Sequence, residues 1–396
     1  MTHTQEIFLD LVRCGLWGQP LKAEYFGSAD DGMAADSHPS SLGKASPLLP
    51  QEWKTLADMA SEQTVTGVVF DALLILPKTL RPPKNIYYNM VARVGEMEDG
   101  NYQMNQAIVF LFRCFAKAKI TAFLLKGQAV ARFYPQPLHR QYGDIDVLVP
   151  DPQEFEKAVE LMQKITESSG DEEEGRRHVV FMLKDVCVEI QGLNVYGIGR
   201  RCFKNYLAWA KDSLAGEKHY LSRLQVQKDA APVELGEVVV LPPARFELLF
   251  IFIHLMNHFF DGGVGLRQVC DWACYLNKNQ TEIDTAQLKA DLELLGLMKH
   301  WQALASMAVC LMGAPAEKIP FYTPRLDKKA NLVLEHIFQS GNFGMLRTNV
   351  FENKTESKFL RRFGTLLGLV PSYGRVARLF PADACFSFYR YALRRM

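Results

Sequence analysis

The segment from Phe123 to Val149 contains two carboxylates separated by a single apolar residue. Gly143-Asp144-Ile145-Asp146 leads directly into Val147-Leu148-Val149, a run that is typical of a buried β-strand. Because side chains alternate along a strand, we expect Asp144 and Asp146 to point to the same side. Two neighbouring carboxylates repel each other unless a positive group lies between them, and a divalent metal ion commonly fills that role. The segment therefore predicts a strand that carries metal ligands.

A second strand pattern lies just upstream and ends in Lys126-Gly127. Residues Ile120 to Leu125 are apolar, and Gly127 to Tyr134 have the pattern of a short helix. A lysine ammonium in this place can meet a phosphate, and a glycine lets the backbone approach it. The helix that follows would also present free N–H groups to an anion. We therefore expect Lys126 and Gly127 to bind phosphates.

A third carboxylate lies on a later strand pattern. His178 to Lys184 and Val186 to Ile190 predict two strands joined by a tight turn at Lys184-Asp185. In the second strand the apolar residues alternate with Cys187, Glu189 and Gln191, so Glu189 faces away from the Val/Ile side. Glu189 is the candidate for completing the metal site and for deprotonating an attacking hydroxyl. The alternative is an exposed strand residue, just as Asp-x-Asp alone often marks a solvated turn.

The rest of the chain is mainly helical in pattern, which predicts an α+β fold with a small mixed sheet flanked by helices. A length of 396 residues suggests more than one domain. We expect an N-terminal helical region (1–118), a core that holds the strands (119–200) and a mainly helical C-terminal domain (201–396). Helical patterns cover 4–17, 51–76, 84–118, 203–214, 242–260, 266–277, 284–295 and 298–312, and a loop is expected over 18–50.

Several classes of protein are disfavoured by bulk features. The N-terminus lacks the pattern of a signal peptide, and the most apolar run, Leu248 to Phe260, is too short to span a bilayer. The eight cysteines include no CxxC pair, so we expect reduced thiols in a cytoplasmic protein. A net charge of +1 argues against a generally basic nucleic-acid binder. Nucleic acid therefore remains a partner that is possible but not favoured.

The central segment resembles the DNA polymerase β-type nucleotidyltransferase superfamily, in which a glycine motif precedes Asp-x-Asp and a third acid follows on a later strand. More narrowly, it resembles a bacterial family within that superfamily labelled uncharacterised nucleotidyltransferase. The motifs that carry this resemblance are Leu125-Lys126-Gly127, Tyr134-Pro135, Arg140 and Asp144-Ile145-Asp146. The resemblance implies Mg²⁺ as cofactor, with Mn²⁺ as an alternative, and a nucleoside triphosphate such as ATP as substrate. It also implies metal-binding and catalytic roles for Asp144, Asp146 and Glu189, and nucleotide-binding roles for Lys126, Gly127 and Arg140.

The downstream helical pattern is similar to that family in His254, Gly265-Leu266-Arg267 and Asp271. His254 and His258 are four residues apart, which suits either a metal site or, as we favour, a polar interface facing the core. Arg267 and Asp271 have the spacing of an ordinary helix pair.

The tail from Arg347 to Met396 is basic and rich in aromatic residues. It suits either a nucleic-acid or membrane contact or, as we favour, a helical cap.

Three functional hypotheses follow. The leading one is a Mg²⁺-dependent enzyme that transfers the NMP moiety of an NTP to an unidentified acceptor hydroxyl and releases pyrophosphate. The second is a degenerate module that binds nucleotide or a partner protein, because Gly127-Gln128 replaces the Gly-Gly or Gly-Ser usual in the superfamily. The third is a nucleic-acid-modifying enzyme that uses the basic tail.

Overall fold

A five-stranded β-sheet lies at the centre of the chain, in a computed structural model that describes residues 1–26, 48–172, 177–194, 198–261, 263–341 and 370–395. Its strands are β1 (Phe123–Leu125), β2 (Ile145–Leu148), β3 (Asp171–Glu172), β4 (His178–Leu183) and β5 (Val186–Gln191). They lie in the order β1-β2-β5-β4-β3. Strands β2 and β5 are parallel and the other neighbouring pairs are antiparallel. The sheet is therefore mixed, and the predicted α+β fold is confirmed.

The strands follow the predicted pattern with shorter ends. Strand β1 begins at Phe123, three residues after the predicted start. The β4–β5 hairpin turns at Lys184-Asp185 as predicted, and Lys184 takes the left-handed conformation (φ +55°) that a tight turn needs. Strand β3 precedes β4, and residues 173–176 between them lie outside the described part of the chain.

The N-terminal region is helical, as predicted. Its helices are α1 (His3–Trp17), α2 (Ala23–Phe26), α3 (Pro50–Glu62), α4 (Thr66–Ile75) and α5 (Lys84–Lys117). Helix α1 is closed at its start by a capping box, in which the Thr2 hydroxyl accepts from the Gln5 backbone N–H. The predicted helical stretch 51–76 contains two helices. Of the loop expected over 18–50, residues 27–47 lie outside the described residues.

Two helices belong to the sheet region, α6 (Gly127–Ala131) and α7 (Pro152–Thr166). The Asp151 side chain accepts hydrogen bonds from the backbone N–H groups of Gln153 and Glu154, so it caps α7. Helix α6 ends at Ala131, three residues before the predicted end.

The C-terminal region is also mainly helical. Its helices are α8 (Arg200–Leu214), α9 (Ala244–Asp261), α10 (Leu266–Lys278), α11 (Thr285–Leu295), α12 (Met298–Cys310), α13 (Asp327–Ser340), α14 (residues 370–379) and α15 (Pro381–Arg395). Two small antiparallel pairs join β6 (His219–Tyr220) with β9 (Val240–Leu241) and β7 (Arg223–Leu224) with β8 (Val233–Glu234). Within the described ranges, no helix is long and apolar enough to cross a membrane.

Two hydrophobic cores hold these elements together. The smaller lies between the sheet and helices α5 and α7, where Phe112 and Met162 pack with Val188. The larger contains residues of helices from both ends of the chain. The ring centroids of Phe8 and Phe338, for example, lie 5.9 Å apart. Strand β1 contributes Phe123 to this larger core. The domain limits at 118 and 200 stay a prediction.

The described part of the basic tail forms a helical cap, as favoured. The Arg390 guanidinium lies 4.4 Å from the centre of the Phe203 ring, and the Phe386 ring packs against Phe203. The tail residues 347–369 and 396 lie outside the described part. All eight cysteines are free thiols, as predicted.

Candidate active site

Three carboxylates converge on one side of the sheet, at the start of β2 and the middle of β5. Asp146 and Glu189 are direct neighbours across the parallel β2–β5 pair, and Asp144 precedes β2 by one residue. One ligand oxygen from each of the three lies within 4.8 Å of the others. The expectation that Glu189 shares a side with the two aspartates is therefore confirmed. We call these three side chains the acidic cage.

Burial and the repulsion between neighbouring carboxylates act against ionisation within the acidic cage. Asp146 is only 2% exposed, and burial together with the neighbouring Asp144 carboxylate raises the pKa of Asp146 well above its ordinary value. Burial is the largest effect on Asp144 and opposes its ionisation, but the Lys126 ammonium, a backbone hydrogen bond and the Arg267 guanidinium together outweigh it, so the pKa of Asp144 is lowered. The two aspartates are thus pushed apart in acidity, which is typical of functional carboxylate pairs.

Lys126 supplies the nearest positive charge. Its ammonium lies 2.7 Å from Asp146 Oδ2 and 3.8 Å from Asp144 Oδ2. Burial disfavours the charged ammonium, but the two aspartates more than offset it, so the pKa of Lys126 is raised. Lys126 therefore lies against the cage, and Gly127 opens α6 beside it.

Two residues that the sequence analysis did not single out support the cage. His178 Nε2 lies 3.1 Å from Glu189 Oε2, and Gln191 Nε2 lies 3.5 Å from Asp146 Oδ1. The strand alternation contained this signal. Residues 178 and 191 pair across β4 and β5, two positions from the pair of Val180 and Glu189, so they share the face of Glu189.

Gln128, the residue after Gly127, is buried in a hydrogen-bond network with helix α5. Its amide nitrogen donates to Asn101 Oδ1 and Asn105 Oδ1, both at 2.9 Å on helix α5. Asn101 in turn donates to the carbonyl oxygens of Leu138 and Arg140. This buried network fixes the turn after Lys126 to α5, the longest helix in the described part of the chain.

Arg140 lies in the wall of the cleft above the cage, but its guanidinium is engaged. Its Nε and Nη2 each donate to Asp271 at 2.8 Å, and its Nη1 donates to the Gln141 carbonyl at 3.2 Å. The Tyr134 hydroxyl also donates to Asp271 at 2.7 Å. Asp271 therefore pairs with Arg140 and not with Arg267, so the expected helix pair is replaced by a link between the core and α10.

Arg267 is the second arginine of this wall. Its Nη1 donates to the carbonyl oxygens of Gln141 and Tyr142, just before Gly143 and Asp144. Its Nε is buried and has no hydrogen-bond partner among the described residues. Arg267 therefore holds the loop that leads into the cage.

The opposite wall comes from helix α9. Ile251, His254 and Leu255 line the cleft together with Lys126 and the two aspartates. The His254 and His258 Nε2 atoms lie 3.0 Å apart, so one imidazole donates and the other accepts. Burial lowers the pKa of His254 well below its ordinary value and that of His258 to about 4. Both are neutral near pH 7, which agrees with the favoured interpretation of a polar interface facing the core.

The cage suits a hard divalent cation. Its donors are all carboxylate oxygens, which Mg²⁺, Mn²⁺ and Ca²⁺ prefer to nitrogen or sulfur ligands. The mutual repulsion that raises the pKa of Asp146 would be relieved by positive charge between the side chains. The residues present therefore fit the metal that the sequence resemblance implied.

Comparison with known proteins gives one match. A family model described as uncharacterised nucleotidyltransferase covers residues 50–313, two thirds of the 396-residue chain, and includes the cage and both walls of the cleft. Comparisons with curated proteins and with solved structures give no match. With a sheet that brings three acids together at the base of a cleft, and a family model that spans this whole region, the chain belongs to the uncharacterised nucleotidyltransferase family.

Proposed function

We propose that this protein is a Mg²⁺-dependent enzyme that transfers the NMP moiety of an NTP to an acceptor hydroxyl and releases pyrophosphate. The observation that carries the proposal is the convergence of Asp144, Asp146 and Glu189, with ligand oxygens within 4.8 Å of one another. Membership of a nucleotidyltransferase family supports the reaction class. The all-oxygen donor set supports Mg²⁺, with Mn²⁺ as an alternative.

Asp144, Asp146 and Glu189 would hold the metal. When bound, Mg²⁺ would supply positive charge to the phosphates and to the departing pyrophosphate. Because Asp146 is the most buried of the three, its carboxylate fixes the inner side of the site. Asp144 and Glu189 are more exposed than Asp146, and Asp144 lines the cleft.

Glu189 is also our candidate for the general base. Its carboxylate lies at the edge of the cage, where an acceptor hydroxyl can reach it, and it would take the proton of that hydroxyl. His178, 3.1 Å away, would keep the carboxylate oriented.

The phosphates would meet Lys126, Gly127 and Arg267. Gly127 has φ +50°, a backbone conformation that favours glycine, whereas a β-carbon there would make only an ordinary contact of 3.6 Å with the Asp144 carbonyl oxygen. Arg267 would use its buried Nε, which has no partner in the described part of the chain. Arg140, whose nitrogens are already engaged by Asp271 and Gln141, would act by holding the wall in place.

The acceptor would enter between the sheet and helix α9. Ile251, His254 and Leu255 form that wall, and the two histidines there are neutral near pH 7. Such a wall suits an uncharged hydroxyl-bearing group better than an anion. The helical C-terminal region would thus select the acceptor.

The alternative function is a degenerate module that binds nucleotide without catalysis. Its support is Gln128, whose amide is buried in the network with Asn101 and Asn105 and so does not replace the superfamily serine. Pyrophosphate release from NTP in the presence of Mg²⁺ would exclude this alternative.

The decisive experiment is binding of ATP, GTP, CTP and UTP with Mg²⁺ or with EDTA, measured by calorimetry. We expect Mg²⁺-dependent binding in the wild type and its loss in Asp146→Asn, because the amide removes one negative ligand. Asp185→Asn is the matched control, since Asp185 is an exposed carboxylate at the turn between β4 and β5. Equal Mg²⁺-dependent binding by the wild type and Asp146→Asn would refute the proposal.

A further inference from the structure

The ammonium of Lys126 lies directly against the acidic cage. It is 2.7 Å from Asp146 Oδ2 and 3.8 Å from Asp144 Oδ2, and the Lys126 side chain is only 17% exposed. A carboxylate oxygen of Glu189 lies within 4.8 Å of the ligand oxygens of both aspartates. The ammonium therefore contacts two members of a cluster of three acids.

The backbone at Lys126 is arranged for this placement. Lys126 has φ +36° and ψ −144°, in a region that favours glycine, and Gly127 follows with φ +50°. A lysine held in such a conformation is strained, and strain of this kind persists where the surrounding structure over-determines it. Glycine would relieve the strain at position 126 but would remove the ammonium. The conformation thus directs a positive charge into the cage.

The charges of the site show what this ammonium does. Asp144, Asp146 and Glu189 carry three negative charges when ionised, and Lys126 cancels one of them. Arg140 and Asp271 neutralise each other through two hydrogen bonds. Arg267, bound to the carbonyl oxygens of the loop before Asp144, adds a further positive charge at the wall. Because Lys126 already cancels one of the three negative charges, one divalent ion is enough to neutralise the two that remain.

We propose that the Lys126 ammonium is a built-in cation of the cage, so that the nucleotide-free protein takes one divalent ion where three bare carboxylates would take two. This inference rests on the proposed function, because it assumes that the cage binds metal. It gives Lys126 a role in setting the number of metal ions, in addition to any contact with phosphate.

The test is the number of Mn²⁺ ions bound per chain, measured by electron paramagnetic resonance of free Mn²⁺ in a titration of the full-length protein. We expect one ion in the wild type and in Lys126→Arg, which keeps the charge. We expect two in Lys126→Met, which removes it. Lys126→Gly serves as a second neutral variant that also relieves the backbone, and thermal melting checks that each variant is folded.

The outcomes separate this inference from the proposed function. Two ions in the wild type, or one ion with unchanged affinity in both neutral variants, would overturn the role of Lys126 and leave the metal site intact. No Mn²⁺ bound above the level of Asp146→Asn would overturn the metal site itself. One ion in the wild type and two in the neutral variants would establish the inference.

Discussion

At the scale of single residues, the pair of Arg140 and Asp271 joins the sheet region to helix α10 by two hydrogen bonds of 2.8 Å. Both side chains are buried. We expect Asp271→Ala to lower the free energy of unfolding by about 3–5 kcal/mol, because it leaves the Arg140 charge buried without its partner. Denaturant unfolding measures this loss.

The double variant Arg140→Met with Asp271→Leu separates the charge effect from the loss of packing. We expect it to recover most of the stability, since a buried ion pair is often replaceable by apolar side chains. A single Asp271→Ala variant as stable as the wild type would contradict the role given to this pair.

Glu247, at the start of α9, makes stability depend on pH. Burial raises the pKa of Glu247 to about 7, although the Arg132 guanidinium 3.7 Å away lowers it in part. Because the folded pKa lies above the unfolded one, the native state keeps a proton that the unfolded chain loses as the pH rises from about 4.5 towards 7. This contribution to stability is complete below pH 4.5 and is lost as the pH rises through 7.

We therefore expect Glu247→Gln to flatten the pH dependence of unfolding between pH 4.5 and 7, by on the order of 1–3 kcal/mol across that window. Glu293→Gln is the matched control, since Glu293 is an exposed carboxylate on helix α11. Urea unfolding at several pH values measures both. An unchanged slope in Glu247→Gln would show that Glu247 ionises normally in the folded protein.

At the scale of elements, the backbone of helix α4 lies close to helix α1 on one side and to the backbone at His139 on another. A β-carbon on Gly15 of α1 would come within 2.0 Å of the Val68 carbonyl oxygen, and one on Gly67 within 2.1 Å of the His139 carbonyl oxygen. These backbone contacts set the distance of α4 from α1 and from the segment that leads to Arg140. Glycine is required there for space and not for an unusual backbone angle.

We expect Gly15→Ala to destabilise the protein by about 1–3 kcal/mol, because the backbone of α4 must move away. Gly95→Ala is the control: Gly95 lies within helix α5 and a β-carbon there meets nothing within 4 Å. It should stabilise by about 0.5–1 kcal/mol through the helix preference for alanine. Thermal and denaturant unfolding of both variants tests the pair, and equal effects would contradict the close approach.

At the scale of the whole molecule, the helices before and after the sheet pack against each other. Arg13 and Trp17 of α1 donate to the carbonyl oxygens of Leu311 and Met312, at 2.8 and 2.7 Å. Strand β1 also buries Phe123 in the core that these helices share. Helices from both ends of the chain therefore share one hydrophobic core with strand β1 of the sheet.

We therefore expect a fragment of residues 119–200 to lack stable structure on its own, because one face of β1 would be exposed to water. Circular dichroism and amide dispersion in NMR spectra measure this, with the full-length chain as the control. A fragment with native-like dispersion would instead show that the predicted limits at 118 and 200 enclose an independent folding unit.

Features that depend on neighbouring residues were readable from the sequence. Strand alternation predicted that Asp144 and Asp146 would share a side and that Glu189 would face away from the Val/Ile side of its own strand. The cap at Asp151 was readable because its partners are two and three residues away. His178 could have been found by the same alternation. The division into helices around a small mixed sheet followed from apolar periodicity, which is a local property.

Contacts between residues that are far apart in the sequence could not be read from local patterns and follow from the packing of the folded chain. The link of Arg140 to Asp271 spans 131 residues, and the positions of Arg267 and His254 in the cleft depend on how α10 and α9 pack on the sheet. The entry of the Lys126 ammonium into the cage depends on a backbone conformation that lysine rarely adopts. Local patterns fix the direction of a side chain within its own element, whereas contacts between elements follow from the packing of the whole core.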